Sequence, residues 1–300
     1  MIYVFGSLNV DFFMQVEKLP GPGETVIGGE YFTAPGGKGA NQAAAAALSG
    51  GTVAMYGAVG DDQWAATPLQ ALADYGVDVS GVGKTTEAGT GYASIMIDAD
   101  GENTIAVASG ANLMASANGL KDADMAPADY LILQMEVDVA ANWQALEIAR
   151  DAGTTTILNV APAAPVPDTA LALVDYLVVN EIEARTVAQS LATDDIEDMA
   201  RTLSNAHDMT TIVTLGPEGA LATSGDGIIR VPALPVTAVD TTGAGDAFIG
   251  TLVAAMGDEL SLEAAMKRAC IGAALACTKP GAMPSYAIRE EILSSERYRF

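Results

Sequence analysis

The chain has very little sulfur and imidazole chemistry to offer: two cysteines, Cys270 and Cys277, and one histidine, His207, in 300 residues. In a helical pattern the cysteines fall about two turns apart on one face, too far for a disulfide, so both are expected as small buried hydrophobes in a cytoplasmic protein. A lone histidine in a polar helix-like stretch excludes most histidine metal sites and a Ser-His-Asp triad, and is expected at the surface. Basic residues are scarce too, 14 Lys and Arg against 38 Asp and Glu, for a net charge of −24 and a pI near 4.1. Such a field excludes nucleic-acid backbone and anionic membrane as partners unless a basic patch exists. The densest basic group, Arg289, Arg297 and Arg299, is interleaved with Glu290, Glu291 and Glu296. No apolar run approaches the roughly 18 residues of a membrane span, and no basic residue precedes Lys18 to mark a signal peptide. With 50% hydrophobic residues, 17% charged and a mean hydropathy of +0.27, the acidity sits on a core-forming chain. A saline setting, where ions screen self-repulsion, is where such a surface is expected to fare best.

What is present is a rhythm. Short apolar, β-branched runs at Ile2–Phe5, Val53–Tyr56, Tyr130–Leu133, Thr156–Asn159, Tyr176–Val179 and Thr211–Leu215 predict strands buried on both faces. Amphipathic patterns at Gly39–Ser49, Asp62–Tyr75, Val139–Asp151, Ile182–Ser190 and Asp195–His207 predict helices between them, and Ala244–Met256 and Ser261–Cys277 predict two more near the end. This order is that of an α/β fold, a mainly parallel central sheet with helices on both faces, which can carry residues 1–300 as one unit. Two segments, about 9–35 and 90–110, lack helices, and Tyr92–Ile97 and Asn103–Val107 flank a hairpin turn, so a small β lid is expected there.

The strongest motif is Val239-Asp240-Thr241-Thr242-Gly243-Ala244-Gly245-Asp246-Ala247-Phe248. Glycines opening a helix present backbone N–H groups at the positive end of its dipole, a place for phosphate oxygens. Asp246 could cap that helix, or take the proton of a hydroxyl attacking a phosphoryl group. Two decoys fail. Gly81-Val82-Gly83-Lys84-Thr85-Thr86 has Asp78 where a phosphate-binding loop needs glycine, and no helix pattern follows, so a loop is expected. Gly243-Ala244-Gly245 meets Phe248 where a dinucleotide fingerprint needs glycine or alanine.

Further candidates flank strand ends. Pro35-Gly36-Gly37-Lys38-Gly39-Ala40-Asn41-Gln42 precedes an alanine-rich helix and offers donors at its start. Asn9 and Asp11 follow the first strand, and Glu136 and Asn180 lie just past two others, at the carboxyl edge where open parallel sheets bind ligands.

Taken together, Gly36–Gln42, Asn180-Glu181-x-Glu183 and Asp240–Asp246 resemble, in order and spacing, the signatures of the ribokinase-like (PfkB) carbohydrate kinases. Gly6–Asp11, Pro22-Gly23-Glu24-Thr25, Gly110-Ala111-Asn112 and Asn159–Ala163 are most similar to its ribose-phosphorylating members. The resemblance implies a three-layer α/β/α sandwich with a β-sheet lid, and an ATP-dependent sugar kinase. Other substrates in the family, fructose or a nucleoside, and a non-catalytic sugar binder, are the alternatives. It implies Asp246 as base, an anion hole at Gly243, Ala244 and Gly245, and a sugar held by Asn9, Asp11, Gly37, Lys38, Asn41 and Glu136. Asn180 and Glu183 would flank the phosphates and Mg²⁺, with Thr214, Gly216, Gly219 and Cys270 along the nucleotide. A monovalent cation, K⁺, would use Asp240, Thr242, Ala276, Lys279, Gly281 and Ser285, and the lid would pair two subunits.

Overall fold

The computed structural model describes residues 1–189, 193–225 and 227–296; Ser190 of one expected helix, and Arg297 and Arg299 of the basic group, lie outside the described residues. The strands are β1 (Ile2–Phe5), β2 (Asn9–Gln15), β3 (Tyr31–Gly36), β4 (Val53–Gly60), β5 (Asp78–Thr85), β6 (Gly91–Ile97), β7 (Asn103–Ala108), β8 (Tyr130–Leu133), β9 (Thr155–Asn159), β10 (Tyr176–Asn180), β11 (Thr210–Thr214), β12 (Ala220–Ser224) and β13 (Gly227–Val231). The helices are α1 (Lys38–Leu48), α2 (Ala66–Asp74), α3 (Asn118–Lys121), α4 (Val139–Ala152), α5 (Asp168–Leu171), α6 (Glu181–Val187), α7 (Ile196–His207), α8 (Ala244–Gly257), α9 (Leu262–Ala276) and α10 (Arg289–Ser295).

Side chains alternate across a strand, so an apolar run supplies two cores at once. Ile2, Val4, Met55, Ile132, Ile157, Val178 and Ile212 pack with residues of α1, α8 and α9. Their neighbours Tyr3, Phe5, Leu131, Leu133, Leu158, Leu177 and Val213 pack with residues of α4, α6 and α7. Helices thus cover both faces of the sheet, in three layers. Among the described residues its nine strands run β13-β12-β11-β10-β9-β8-β1-β4-β5, parallel from β11 to β5 and antiparallel at β11-β12-β13. The alanine run of α1 serves close helix packing: a Cβ on Gly250 of α8 would come within 2.6 Å of Ala45 Cβ.

The second sheet is the expected lid, ordered β3-β2-β6-β7, with the β6–β7 hairpin at its edge. Four departures have local causes. The Gly81-Val82-Gly83-Lys84 segment is not a loop but β5, an edge strand where a Cβ on Gly81 would come within 2.7 Å of the Tyr56 ring. The β12–β13 hairpin was not legible as strands, since half of it faces solvent. Helix α2 begins at Ala66 rather than Asp62, because Asp62 accepts hydrogen bonds from the N–H groups of Trp64, Ala65 and Thr90 instead. His207 is not simply at the surface: its imidazole is only 12% exposed and lies 3.6 Å from Asp168. Both cysteines are free, with burial pushing the Cys270 thiol up to about 12. Among the described residues no helix is long and apolar enough to cross a membrane.

Candidate active site

Strand β1 lies between β8 and β4, the place where the sheet order reverses, and open sheets of this kind form their ligand crevice beyond the carboxyl ends of the strands. Three hydrogen bonds close its floor. Ser7 Oγ donates to Glu136 Oε2 at 2.6 Å, the Lys38 N–H donates to the same oxygen at 3.1 Å, and the Gly39 N–H donates to Ser7 Oγ at 3.2 Å. Glu136, past β8, is thereby pinned to the start of α1. At the lid's root Asn112 receives the Leu8 N–H and donates to Asn9 Oδ1 at 2.7 Å. Asp11, on β2, is pushed up to about 7, first by burial and then by the charge of Glu136.

The Asp240–Asp246 motif bends into α8 through Gly243, the N-cap residue with φ 73°. A side chain there would be strained by about 1–2 kcal/mol in the backbone, and its Cβ would sit 2.5 Å from the Tyr286 hydroxyl. The Ala244 N–H donates to Thr241 O at 3.2 Å. No acceptor among the described residues takes the Gly243 or Gly245 N–H, and nothing lies within 4 Å of a Cβ built on Gly245. The Gly243 and Gly245 N–H groups, and that of Asp246 after them, are therefore open donors of this turn.

Asp246 does not cap the helix. Its carboxylate is buried and accepts from Asn41 Nδ2 at 3.0 Å on Oδ2 and from Gln42 Nε2 at 2.9 Å on Oδ1. Burial raises its pKa, and the nearby Lys38 ammonium and the two amides pull against that rise. Lys38 in turn is raised, chiefly by Asp246, and stays charged. A carboxylate that is buried, held by donors and short of full solvation is a strong acceptor for a hydroxyl proton.

Asn180 and Glu183 form a capping box on α6, the Asn180 N–H on Glu183 Oε2 at 2.8 Å and the Glu183 N–H on Asn180 Oδ1 at 2.9 Å. Burial raises the Glu183 carboxyl, against the pull of the Asn180 N–H and Lys38. These two residues line a cleft of about 220 Å³ with Lys38, Thr214, Gly243, Gly245 and Asp246. Cavities of about 310 and 400 Å³ open at the opposite edge, where β8 to β11 begin, and none of the motif residues lines them. Convergence of charged and polar groups, more than size, marks the smaller cleft as the site.

Of the expected residues, Gly37, Lys38, Asn41, Glu136 and Asp246 come together around the end of β1, with Asn9 and Asp11 at the lid's root. Gly216 and Gly219 turn the chain after β11, and Gly219, at φ 98°, also makes room for the Val231 carbonyl. Cys270 is not among the cleft-lining residues; it is buried in the α1–α8–α9 core, because α9 turns it toward the sheet. Asp240 accepts from Thr242 N and Oγ1 and from the Gly281 N–H at 2.8 Å. Burial raises Asp240, but these bonds outweigh it and hold its carboxyl low. Ser285 is fully buried, its hydroxyl donating to the Ala282 carbonyl, while Lys279 reaches Glu291 at 3.9 Å. Ser7, Gln42, Gln134 and Asn112 had no individual place in the sequence reading. Ser7, Gln42 and Asn112 stand inside the motifs Gly6–Asp11, Gly36–Gln42 and Gly110-Ala111-Asn112, and Gln134 just past a strand.

Residues 1–289 match the pfkB family carbohydrate kinase model. The chain is 35% identical to a ribokinase of Haemophilus influenzae over 97% of its own length and 96% of that protein's. It is 36% identical to a deoxyribokinase of Salmonella typhi over 95% of each chain. In three dimensions it superposes on the Arabidopsis thaliana ribokinase complexed with ribose and ATP with a TM-score of 0.90, at 29% identity and covering 99% of both chains.

Proposed function

The chain belongs to the pfkB family of carbohydrate kinases, phosphotransferases acting on a sugar hydroxyl, and on that premise we propose that it is an ATP-dependent ribose kinase that phosphorylates the 5-hydroxyl. The observation that carries the reading is the buried Asp246 carboxylate facing the cleft beside two glycine N–H groups without acceptors. Asp246 takes the hydroxyl proton. The N–H groups of Gly243 and Gly245, at the positive end of α8, and the Lys38 ammonium receive the negative charge of the moving phosphoryl group. Asn9, Asp11, Gly37, Asn41 and Glu136 hold the sugar hydroxyls, and Thr214, Gly216 and Gly219 border the nucleotide. Positioning supplies much of the rate.

The oxygen donors of Glu183 and Asn180 suit a hard cation, and these residues lie beside the place of Mg²⁺, which offsets phosphate charge. Asp240, with Thr242, Ala276, Lys279, Gly281 and Ser285, fits K⁺. There a low-pKa carboxylate ties two chain segments into an oxygen-rich turn next to the anion site. The exposed apolar residues of the lid suit a homodimer, and free cysteines suit the cytoplasm.

The similarity to a deoxyribokinase favours one second reading, 2-deoxyribose as substrate. A panel of ribose, 2-deoxyribose, fructose and nucleosides, followed by coupled ADP detection, separates them. The expected result is the highest kcat/KM for ribose; a tenfold preference for another substrate would replace it, and ribose binding without ADP would point to a sugar binder.

A further inference from the structure

The two amides that grip Asp246 differ in their freedom. Gln42 Nε2 donates both to Asp246 Oδ1 at 2.9 Å and to Asn159 Oδ1 at 3.1 Å, and Gln42 Oε1 accepts from Gln134 Nε2 at 2.8 Å. Asn159 Nδ2 is committed to the Val178 carbonyl at 3.0 Å, so its Oδ1 is an acceptor. Gln42 and Gln134 are fully buried, and Gly6, just past β1, stands where any Cβ would overlap the Gln134 side chain. Turning Gln42 over would set its oxygen against a carboxylate and a second amide oxygen, and its NH₂ against that of Gln134. Its polarity is locked. Asn41 is not locked: Nδ2 donates to Asp246 Oδ2 at 3.0 Å, while its buried Oδ1 has no partner.

We propose that Gln42 is a positioning residue whose locked amide keeps Asp246 Oδ1 an acceptor and so directs the substrate proton to Oδ2. There the Asn41 amide is free to turn over and present its Oδ1 to the new O–H. In the transfer the hydroxyl O–H bond breaks, its proton goes to Oδ2, the oxygen's electron pair forms the new O–P bond, and the electrons of the broken P–O bond leave with ADP. Gln134, whose own buried Oε1 has no partner, is not locked itself and acts only through Gln42, as the donor to its Oε1. This rests on the reading of Asp246 as base. The charged and titratable groups around that carboxylate, Lys38 on α1, Glu136 after β8, Glu183 on α6 and Tyr286 before α10, stay in place in every variant below.

The test is steady-state kinetics of the full chain with ribose and ATP for wild type, Gln42→Met, Gln134→Met and Asp246→Asn, with folded fraction measured alongside. Gln42→Met is expected to lower kcat about tenfold or more with both KM values within about twofold, and to move the acid limb of the kcat profile to higher pH, since a donor to the ionised carboxylate is gone. Gln134→Met, which never touches Asp246, is expected to lower kcat severalfold in the same manner. Should Gln42→Met not fold, Gln134→Met decides. Wild-type kcat and pH profile in either folded variant, or losses that merely track the folded fraction, overturn the proposal while Asp246→Asn stays inactive. An active Asp246→Asn enzyme instead overturns the base reading itself.

Discussion

In the nine-stranded sheet both faces of β1 are buried in separate cores, whereas β7 of the lid sheet is exposed along its whole length. The difference divides the cleft. The large sheet ends in groups that cannot move without breaking a core: Asp246 at the head of the buried stretch Asp246–Met256 of α8, Gln42 on α1, Asn159 at the end of β9. The lid contributes Asn9 and Asp11 at its root and leaves Phe32, Ile105 and Val107 exposed on the sheet face that Asp11 shares, and Tyr31 exposed on the other, each at least 55% exposed. Exposed apolar residues grouped in this way suit an association surface. Within the lid Phe12 lies 5.0 Å from Tyr92, and it reaches the body edge-on at Trp64, 4.7 Å away. Rate should therefore be set by the large sheet, and sugar affinity and assembly by the lid.

The largest test of that division is Asp246→Asn. It is expected to cut kcat by about 10²–10⁴-fold while ribose and ATP binding, measured by calorimetry, change little; near-normal turnover would sink the base assignment. On the lid side Asp11→Asn is expected to raise the ribose KM by about tenfold or more with a smaller change in kcat, since a charged acceptor is lost. Asp11, pushed up to about 7, is ionised above that pH. The form that accepts hydroxyl protons is thus lost as pH falls, so the ribose KM should climb below pH 7 in wild type and stay flat in Asp11→Asn. Smaller still, Ile105→Glu should weaken self-association in sedimentation experiments without altering the folded core; unchanged association would return the lid face to ordinary surface. Replacing K⁺ by choline at constant ionic strength should lower kcat a fewfold, and Asp240→Ala should abolish the difference.

How much of this was legible depends on what kind of signal each part leaves. The β1, β8 and β10 strands show as apolar runs because both faces are buried, and the lid hairpin shows through its Asp-rich turn. Strands β5 and β12–β13 lie toward the sheet's edges, where half-exposed residues and glycines blur the period. At the site, Asp246 and Lys38 stand inside motifs whose glycines announce a backbone purpose. Gln134 is one polar residue after a strand, and its link to Gln42 spans 92 positions of sequence.

The sequence by itself determined the alternation of strands and helices, the lid segments and the glycine turns, because periodicity and backbone freedom are local properties. Tertiary structure alone decided that Asp246 serves no cap and that Ala244 spends its N–H on Thr241. It also decided which oxygen of Asp246 is locked. These depend on which donors reach a buried group from distant strands, and only the packed sheet brings them within hydrogen-bonding distance.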